Sequence, residues 1–219
     1  MHHNPLRVHK DDSHFVRASR AGLTQMQIRG EEYAFTVLRN PVDRFFSLYT
    51  DKVVGEGHLR YVPLRRVLET KYGLRTGSLS VEDHTRNCEI LIGWIGENLS
   101  SGKDMPKEAH WKPQSYREEI IREFDLKILL VGDLNHQLSV LLQQVVPDIR
   151  KVLSSLERNR SIRPFPKGQI LNRSLRKRIN EVYSRDKELF EMSKAAWSSV
   201  YSKESAQTAP RYSDLTPKP

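Results

Sequence analysis

A sharp junction within residues 35–52, FTVLRNPVDRFFSLYTDK, constrains the fold of this chain more than any other stretch. The nearly continuous apolar run over 32–39 predicts a strand that is covered on both faces. Asn40 and Pro41 are typical of the N-cap and the first position of a helix. The helical spacing of the apolar residues over 41–54 then predicts a helix. A buried strand that leads directly into a helix indicates an α/β fold.

Length and charge narrow the function classes. The 219 residues suffice for one domain with a sizeable core, and the formal net charge is +9. This charge favours an anionic partner, either nucleic acid, nucleotide phosphates or sulfated and carboxylated glycans. Nucleic acid is not expected, because no recognition motif is found and the aromatic residues follow core-like patterns. One cysteine, Cys88, permits no intramolecular disulfide.

The rest of the chain shows one further strand pattern and several helical ones. The second strand is predicted over 125–132. The helices are predicted over 61–73, 80–99, 115–124, 134–145 and 175–193. The helix from Ser80 begins with a Ser-x-x-acid capping pattern. We expect a single domain over 1–201 and, because 202–219 are polar and rich in proline, a disordered tail there.

Arg39 lies where the first strand ends, which is the edge at which open α/β sheets bind ligands. Its planar guanidinium suits a phosphate. Ser47 lies seven residues after Asn40, on the side of the helix away from Phe45 and Phe46, and its hydroxyl could donate to the same anion. The helix N-terminus would add backbone donors. The alternative is a well-capped helix without a ligand, and the residues alone leave both readings open.

Four stretches carry a resemblance to a known family. VLRNPVDRFFSLYTDK (37–52) resembles the 3′-phosphate-binding motif of sulfotransferases, and AHWKPQ (109–114) resembles the His-Trp-x-Pro-Gln loop of one group of them. DLKILLVGDLNHQLSVLL (125–142) and LRKRINEVYSRDKELF (175–190) are similar to the later strand–helix and the terminal helix of that group. The group is the carbohydrate sulfotransferases of family 2, of the chondroitin, dermatan and HNK-1 type, with their bacterial relatives.

The resemblance implies a helix-rich, P-loop-like α/β fold and transfer of a sulfuryl group to a hydroxyl of a carbohydrate acceptor, an oligo- or polysaccharide. The donor would be PAPS (3′-phosphoadenosine 5′-phosphosulfate), and no metal would be needed. Arg39 and Ser47 would bind the 3′-phosphate of PAPS. His9 and His110 are the candidate catalytic bases. His9 and the nearby His14 also fit exposed residues near a terminus, and His110 also fits a loop residue beside Trp111.

One family feature is not found in the printed sequence. The 5′-phosphosulfate loop, typically Pro-Lys-x-small-Cys/Gly-Thr/Ser between a strand and a helix, has no match. We therefore expect a parallel sheet short of its first strand. The alternative function is a truncated or catalytically inactive relative that binds a nucleotide or an anionic glycan.

A His-Cys pair, a basic loop and the lack of a long apolar run each lead to a further prediction. His84 and Cys88 lie four residues apart on one helix, which indicates packing rather than a zinc site. A basic loop predicted over 154–171 is either a solvated surface or a contact for an anionic ligand. No apolar run is long enough to span a bilayer. This favours a bacterial cytoplasmic protein, with a membrane-associated or Golgi protein as the alternative if an N-terminal anchor is missing.

Overall fold

The computed structural model describes residues 34–54, 61–101, 110–143, 148, 165, 167–202 and 208–215. Their contacts form two compact units. The sheet unit comprises the described residues of Met1–Arg39, Tyr116–Arg160 and Leu189–Pro219, and the helical unit those of Asn40–Ser115 and Ser161–Glu188. The expected single domain over 1–201 stays a prediction.

The sheet unit contains two parallel strands, β1 (Phe35–Leu38) and β2 (Lys127–Leu130), in a register that places Phe35 opposite Lys127. Around them lie a 3₁₀ turn (Val131–Asp133), the helices α4 (Glu118–Glu123) and α5 (Leu134–Leu142), and the later part of α8 (Ser184–Ser202). Parallel pairing of strands so distant in sequence requires a crossover connection, as in α/β folds.

The two strands differ in burial. All four residues of β2 are buried, and Trp197 of α8 donates its indole N–H to the carbonyl oxygen of Ile128 at 2.7 Å. In β1 only Leu38 is buried, and Phe35 is 40% exposed. The prediction of a strand covered on both faces is therefore wrong for β1 among the described residues, since the apolar run alone does not reveal which face receives a packing partner.

The predicted disordered tail needs a correction for residues 208–215. Arg211 forms an antiparallel bridge with Lys127, and the amide of Tyr212 donates to the carbonyl oxygen of Leu126 at 3.1 Å. Tyr212 is buried, and its hydroxyl donates to Glu118 at 2.6 Å. The segment is ordered because it satisfies the backbone groups at the edge of β2, which the polar composition of the tail does not show.

The helical unit is built from helices around one apolar core. Its elements are α1 (Pro41–Leu48), a π-helical turn (Tyr49–Val54), α2 (Val62–Tyr72), α3 (Val81–Ser101), α6 (Lys167–Ile170), α7 (Arg173–Val182) and the first residues of α8. A 3₁₀ turn at Gln114–Arg117 begins in this unit and continues into the sheet unit. The core includes Phe45, Phe46, Tyr49, Trp94 and Trp111.

Local sequence rules explain the ends of several of these helices. Gly73 ends α2 in the left-handed conformation, with φ of 72°. Ser80 and Asp83 form the predicted capping box at the start of α3, with reciprocal bonds of 3.1 and 3.2 Å. The predicted helix over 41–54 changes to π geometry at Tyr49, and the predicted helix over 175–193 is two helices that meet at Tyr183.

These elements confirm a helix-rich α/β protein with a short parallel sheet. The P-loop-like strand arrangement stays a prediction. The expectation that the sheet lacks its first strand also stays a prediction, because residues 1–33 lie outside the described part of the chain. Within the described ranges, no helix has the length and apolar character needed to cross a membrane.

Candidate active site

The junction between β1 and α1 is shaped by the cap of the helix. Asn40 is the N-cap, and its side-chain oxygen accepts hydrogen bonds from the amides of Val42 at 3.0 Å and Asp43 at 3.4 Å. Pro41 has no amide hydrogen. The carboxylate of Asp43 forms an ion pair with the ammonium of Lys167. The first turn of α1 is therefore satisfied by groups of the protein itself.

This cap changes the expected role of the helix N-terminus. From the sequence, we expected the backbone amides at this end of α1 to donate to the anion. In the structure, the amides of Val42 and Asp43 already donate to Asn40. Side chains must consequently supply the donors for any phosphate held here. The partial positive charge of the helix end still favours an anion nearby.

The two residues predicted to bind the 3′-phosphate lie in different units. Arg39 directly follows β1 and is the last residue of the sheet unit, where it is half-buried. Ser47 lies on α1 in the helical unit and is also half-buried. It shares the less buried face of α1 with Asp43 and Arg44, away from the buried Phe45 and Phe46, as the helical spacing predicted.

Arg44 connects α1 to the His-Trp-x-Pro-Gln loop. Its guanidinium donates to the carbonyl oxygen of His110 at 3.0 Å and to that of Lys112. It also pairs with the carboxylate of Asp186 at 3.4 Å and lies 5.5 Å from the centre of the Tyr183 ring. One arginine of the strand–helix motif thus binds two carbonyl groups of the loop backbone.

Asp186 holds the far end of the same loop. Its two carboxylate oxygens accept from the amides of Gln114 and Ser115, each at 2.7 Å, and its side chain is fully buried. The carboxylate lies in the first turn of α8, where a negative charge interacts favourably with the helix dipole. A buried carboxylate needs this degree of pairing, because desolvation without partners would be costly.

Tyr183 adds a third contact, from the break between α7 and α8. Its hydroxyl donates to the carbonyl oxygen of Trp111 at 3.0 Å. Burial raises the pKa of this hydroxyl, so that it stays protonated and remains a donor. Arg44, Asp186 and Tyr183 together are called the loop clamp below.

The side chain of Trp111 anchors the loop to the core of the helical unit. Its side chain is fully buried and packs edge-on against Trp94, with ring centres 5.7 Å apart, and against Tyr61 at 6.0 Å. An aromatic anchor beneath the loop and five hydrogen bonds between three side chains and its backbone leave this segment little conformational freedom.

His110 is presented at the surface by this arrangement. Its side chain is exposed and lies edge-on to Tyr61, with ring centres 6.3 Å apart. The ammonium of Lys52 lies over the same Tyr61 ring, 4.7 Å from its centre. An exposed imidazole on a fixed backbone can accept a proton from a bound hydroxyl, which is the chemistry that a general base requires.

His84 and Cys88 belong to the core, in line with the packing interpretation. The Nδ1 of His84 lies 2.9 Å from the hydroxyl of Tyr49, and its ring packs against Phe165 with centres 4.4 Å apart. Burial lowers the pKa of His84 and raises the pKa of the buried Cys88 thiol. Within the described residues, no group of three or more potential ligands is placed to hold a metal ion.

The remaining candidates are placed only in part. His9 and His14 lie outside the described residues, as do 154–164 and 166 of the predicted basic loop. The prediction of a loop is wrong over Lys167–Ile170, which form the short helix α6. The loop clamp was missed as a functional unit. The arginine, the tyrosine and the aspartate all stand in the quoted family-like segments, but sequence spacing could not show that they converge on one loop.

A comparison with known protein families supports the resemblance that these segments carry. A family model described as "Sulfotransferase family" matches residues 1–193. The chain therefore belongs to the sulfotransferase family, as the resemblance predicted, and this membership implies a transferase. No curated protein and no solved structure matches the chain significantly.

Proposed function

We propose that this protein is a PAPS-dependent sulfotransferase that transfers a sulfuryl group to a hydroxyl of a carbohydrate acceptor. The acceptor is an oligo- or polysaccharide. The observation that supports it best is the loop clamp. Arg44 of the strand–helix motif and Tyr183 and Asp186 of the terminal segment all bind the backbone of residues 110–115. Three segments that resemble the family separately thus form one structure that presents His110.

The side chains of Arg39 and Ser47 have the chemistry that suits the 3′-phosphate of PAPS. The guanidinium of Arg39 and the hydroxyl of Ser47 would supply hydrogen-bond donors, and charge-assisted bonds to a phosphate are the strong kind. Because the amides of Val42 and Asp43 already donate to Asn40, these side chains would be the principal donors. When bound, PAPS supplies the sulfuryl group, which is attached to a phosphate leaving group.

His110 is the proposed general base among the described residues. Its imidazole would take the proton of the acceptor hydroxyl as the sulfur–oxygen bond forms. Arg44 and the other clamp residues act through the loop backbone and are positioning residues. His9, outside the described residues, is the second candidate base.

Transfer of labelled sulfuryl groups from PAPS to a panel of neutral and acidic oligosaccharides tests the activity. We expect transfer by the unmodified chain and a roughly 10²- to 10⁴-fold lower rate for His110→Ala, the usual contribution of a general base. His136→Ala is the matched control, because His136 is also exposed but lies on α5 of the sheet unit.

Each outcome of this assay has a distinct meaning. An unchanged rate for His110→Ala would refute the role of His110 as the base. A chain that binds PAP (3′-phosphoadenosine 5′-phosphate) yet transfers nothing to any acceptor would refute the activity and leave the non-catalytic, nucleotide-binding relative.

A further inference from the structure

Lys52, the last residue of the strand–helix motif, carries a nearly buried positive charge. Its side chain is only 11% exposed, whereas a lysine usually keeps its ammonium in water. The ammonium lies 2.6 Å from the carboxylate of the neighbouring Asp51, which is 41% exposed. A charge that is withdrawn from water needs compensating contacts. The function proposed above gives this lysine no role.

The π-helical turn (Tyr49–Val54) directs Lys52 toward the loop that carries His110. In a continuous α-helix, Lys52 would lie about 80° around the axis from Arg44, eight residues earlier. The wider π turns advance each residue less, which moves Lys52 back toward the side from which Arg44 binds the loop. The turn has a cost, because the buried hydroxyl of Thr50 finds no hydrogen-bond partner among the described residues. Such turns occur frequently at functional sites.

Tyr61 connects Lys52 to this loop. The ammonium lies over the Tyr61 ring, 4.7 Å from its centre, and a cation over an aromatic ring is held most strongly where water is excluded. The ring is buried and packs edge-on against the side chains of both His110 and Trp111. One ring, pinned by Lys52, therefore contacts the anchor of the loop and the imidazole that the loop presents.

The imidazole needs this contact, because the loop clamp fixes only the backbone beneath it. Exposed side chains such as His110 change rotamer within picoseconds to nanoseconds, whereas a general base must stay within hydrogen-bond reach of its proton. We infer that Lys52 is a positioning residue, which holds the His110 imidazole in its working orientation through the Tyr61 ring. The inference rests on the proposed function, in which His110 is the base.

Steady-state kinetics with two substitutions of Lys52 test this role. Lys52→Met keeps the length of the side chain but removes the charge, and we expect kcat to fall roughly 10- to 100-fold with the KM for PAPS unchanged. Lys52→Arg keeps a cation over the ring and should restore kcat to within about threefold. Lys71→Met, at an exposed lysine on α2, is the matched control and should leave kcat unchanged.

NMR tests the same role without any need for activity. Lys52→Met should shift the ring-proton signals of His110 and leave those of His136, which lies on α5 of the sheet unit. Hydrogen exchange of the Gln114 and Ser115 amides should stay as in the native chain, because the clamp still binds them. This combination distinguishes an effect on the imidazole from a general loosening of the loop.

The native chain provides a measurement that does not depend on the folding of a variant. Cross-relaxation between the ring protons of Tyr61 and His110 should be observed, and its absence would overturn the proposal. Unmoved His110 signals in folded Lys52→Met, or faster exchange of the loop amides there, would overturn it as well. A native chain that transfers sulfuryl groups while these signals stay unmoved would keep the proposed function and lose the role of Lys52. A chain that transfers none while the signals move would lose the proposed function alone.

Discussion

At the scale of single residues, the site depends on Asp186. This buried carboxylate pairs with Arg44 and accepts from two amides of the loop that presents His110. No other described side chain bonds both to the clamp arginine and to the amides of the loop. The loop that carries the proposed base is thus held at its far end by one residue on a helix about 70 positions away in sequence.

Replacement of Asp186 by Asn should loosen the loop. The amide group keeps one acceptor oxygen but turns an N–H₂ group toward donors, so we expect a loss of about 2–4 kcal/mol in the free energy of unfolding. Hydrogen exchange of the Gln114 and Ser115 amides should increase. Glu188→Gln on the same helix, where the carboxylate is exposed and pairs with Arg185, should change stability by under about 0.5 kcal/mol. Unchanged exchange in Asp186→Asn would contradict the clamp.

His84 should make the stability of the protein depend on pH. Burial lowers the pKa of His84, although the neighbouring Asp83 opposes this. Because the unfolded chain then binds the proton more readily, the stabilisation is complete above the unfolded pKa of about 6.5 and is lost as the pH falls below it.

The test compares urea unfolding of the native chain and His84→Asn from pH 7.5 down to 5. The native chain should lose stability more steeply, by at most about 1.4 kcal/mol per pH unit, since asparagine does not titrate. Identical slopes for the two proteins would show that His84 does not titrate in this range.

At the scale of elements, the sequence correctly predicted the helix ends that depend only on neighbouring residues. The capping pattern at Ser80 and the glycine stop at Gly73 form as predicted, because each needs only its own turn. The break at Tyr183 was not predicted. The hydroxyl of this residue bonds to a carbonyl 72 residues away, a contact that no local pattern reveals. The convergence of the clamp on one loop likewise depends on tertiary contacts that no spacing rule contains.

The start of α1 offers a variant that separates stability from binding. Asn40→Asp should keep the cap, because Asp is an equally good N-cap, so the free energy of unfolding should change by under about 0.5 kcal/mol. The added charge beside Arg39 should weaken PAP binding roughly fivefold, since like charges about 4 Å apart cost about 1 kcal/mol in water.

Asn172→Asp is the control for this effect. Asn172 is the N-cap of α7 and accepts from the amide of Leu175 at 2.8 Å, so the chemistry of the substitution is the same. Calorimetric titration should show PAP affinity unchanged in this variant. Equal weakening in both would mean that the phosphate does not bind near Arg39.

At the scale of the whole molecule, the tail residues 208–215 contribute to the core of the sheet unit. Tyr212→Ala should cost about 3 kcal/mol in the free energy of unfolding, because it leaves a cavity and removes the hydrogen bond from the Tyr212 hydroxyl to Glu118. Tyr212→Phe should cost only about 1 kcal/mol, the usual value of one hydrogen bond.

Tyr116→Ala is the comparison, since that side chain is 49% exposed. We expect it to change stability by under about 0.5 kcal/mol. If Tyr212→Ala were as mild as Tyr116→Ala, the tail would not be part of the core. The sequence could not predict this role, because polar composition does not reveal which few residues a sheet edge will use.

The most direct test of the sulfotransferase site compares PAP with 5′-AMP, which differs from it only by lacking the 3′-phosphate. We predict that the native chain binds PAP at least about tenfold more tightly, because bonds from Arg39 to that phosphate contribute about 1.5–3 kcal/mol. Arg39→Ala should lose this preference, and Arg122→Ala, an exposed arginine on α4, should keep it. Equal affinity of the native chain for the two nucleotides would contradict the assignment of the 3′-phosphate to Arg39.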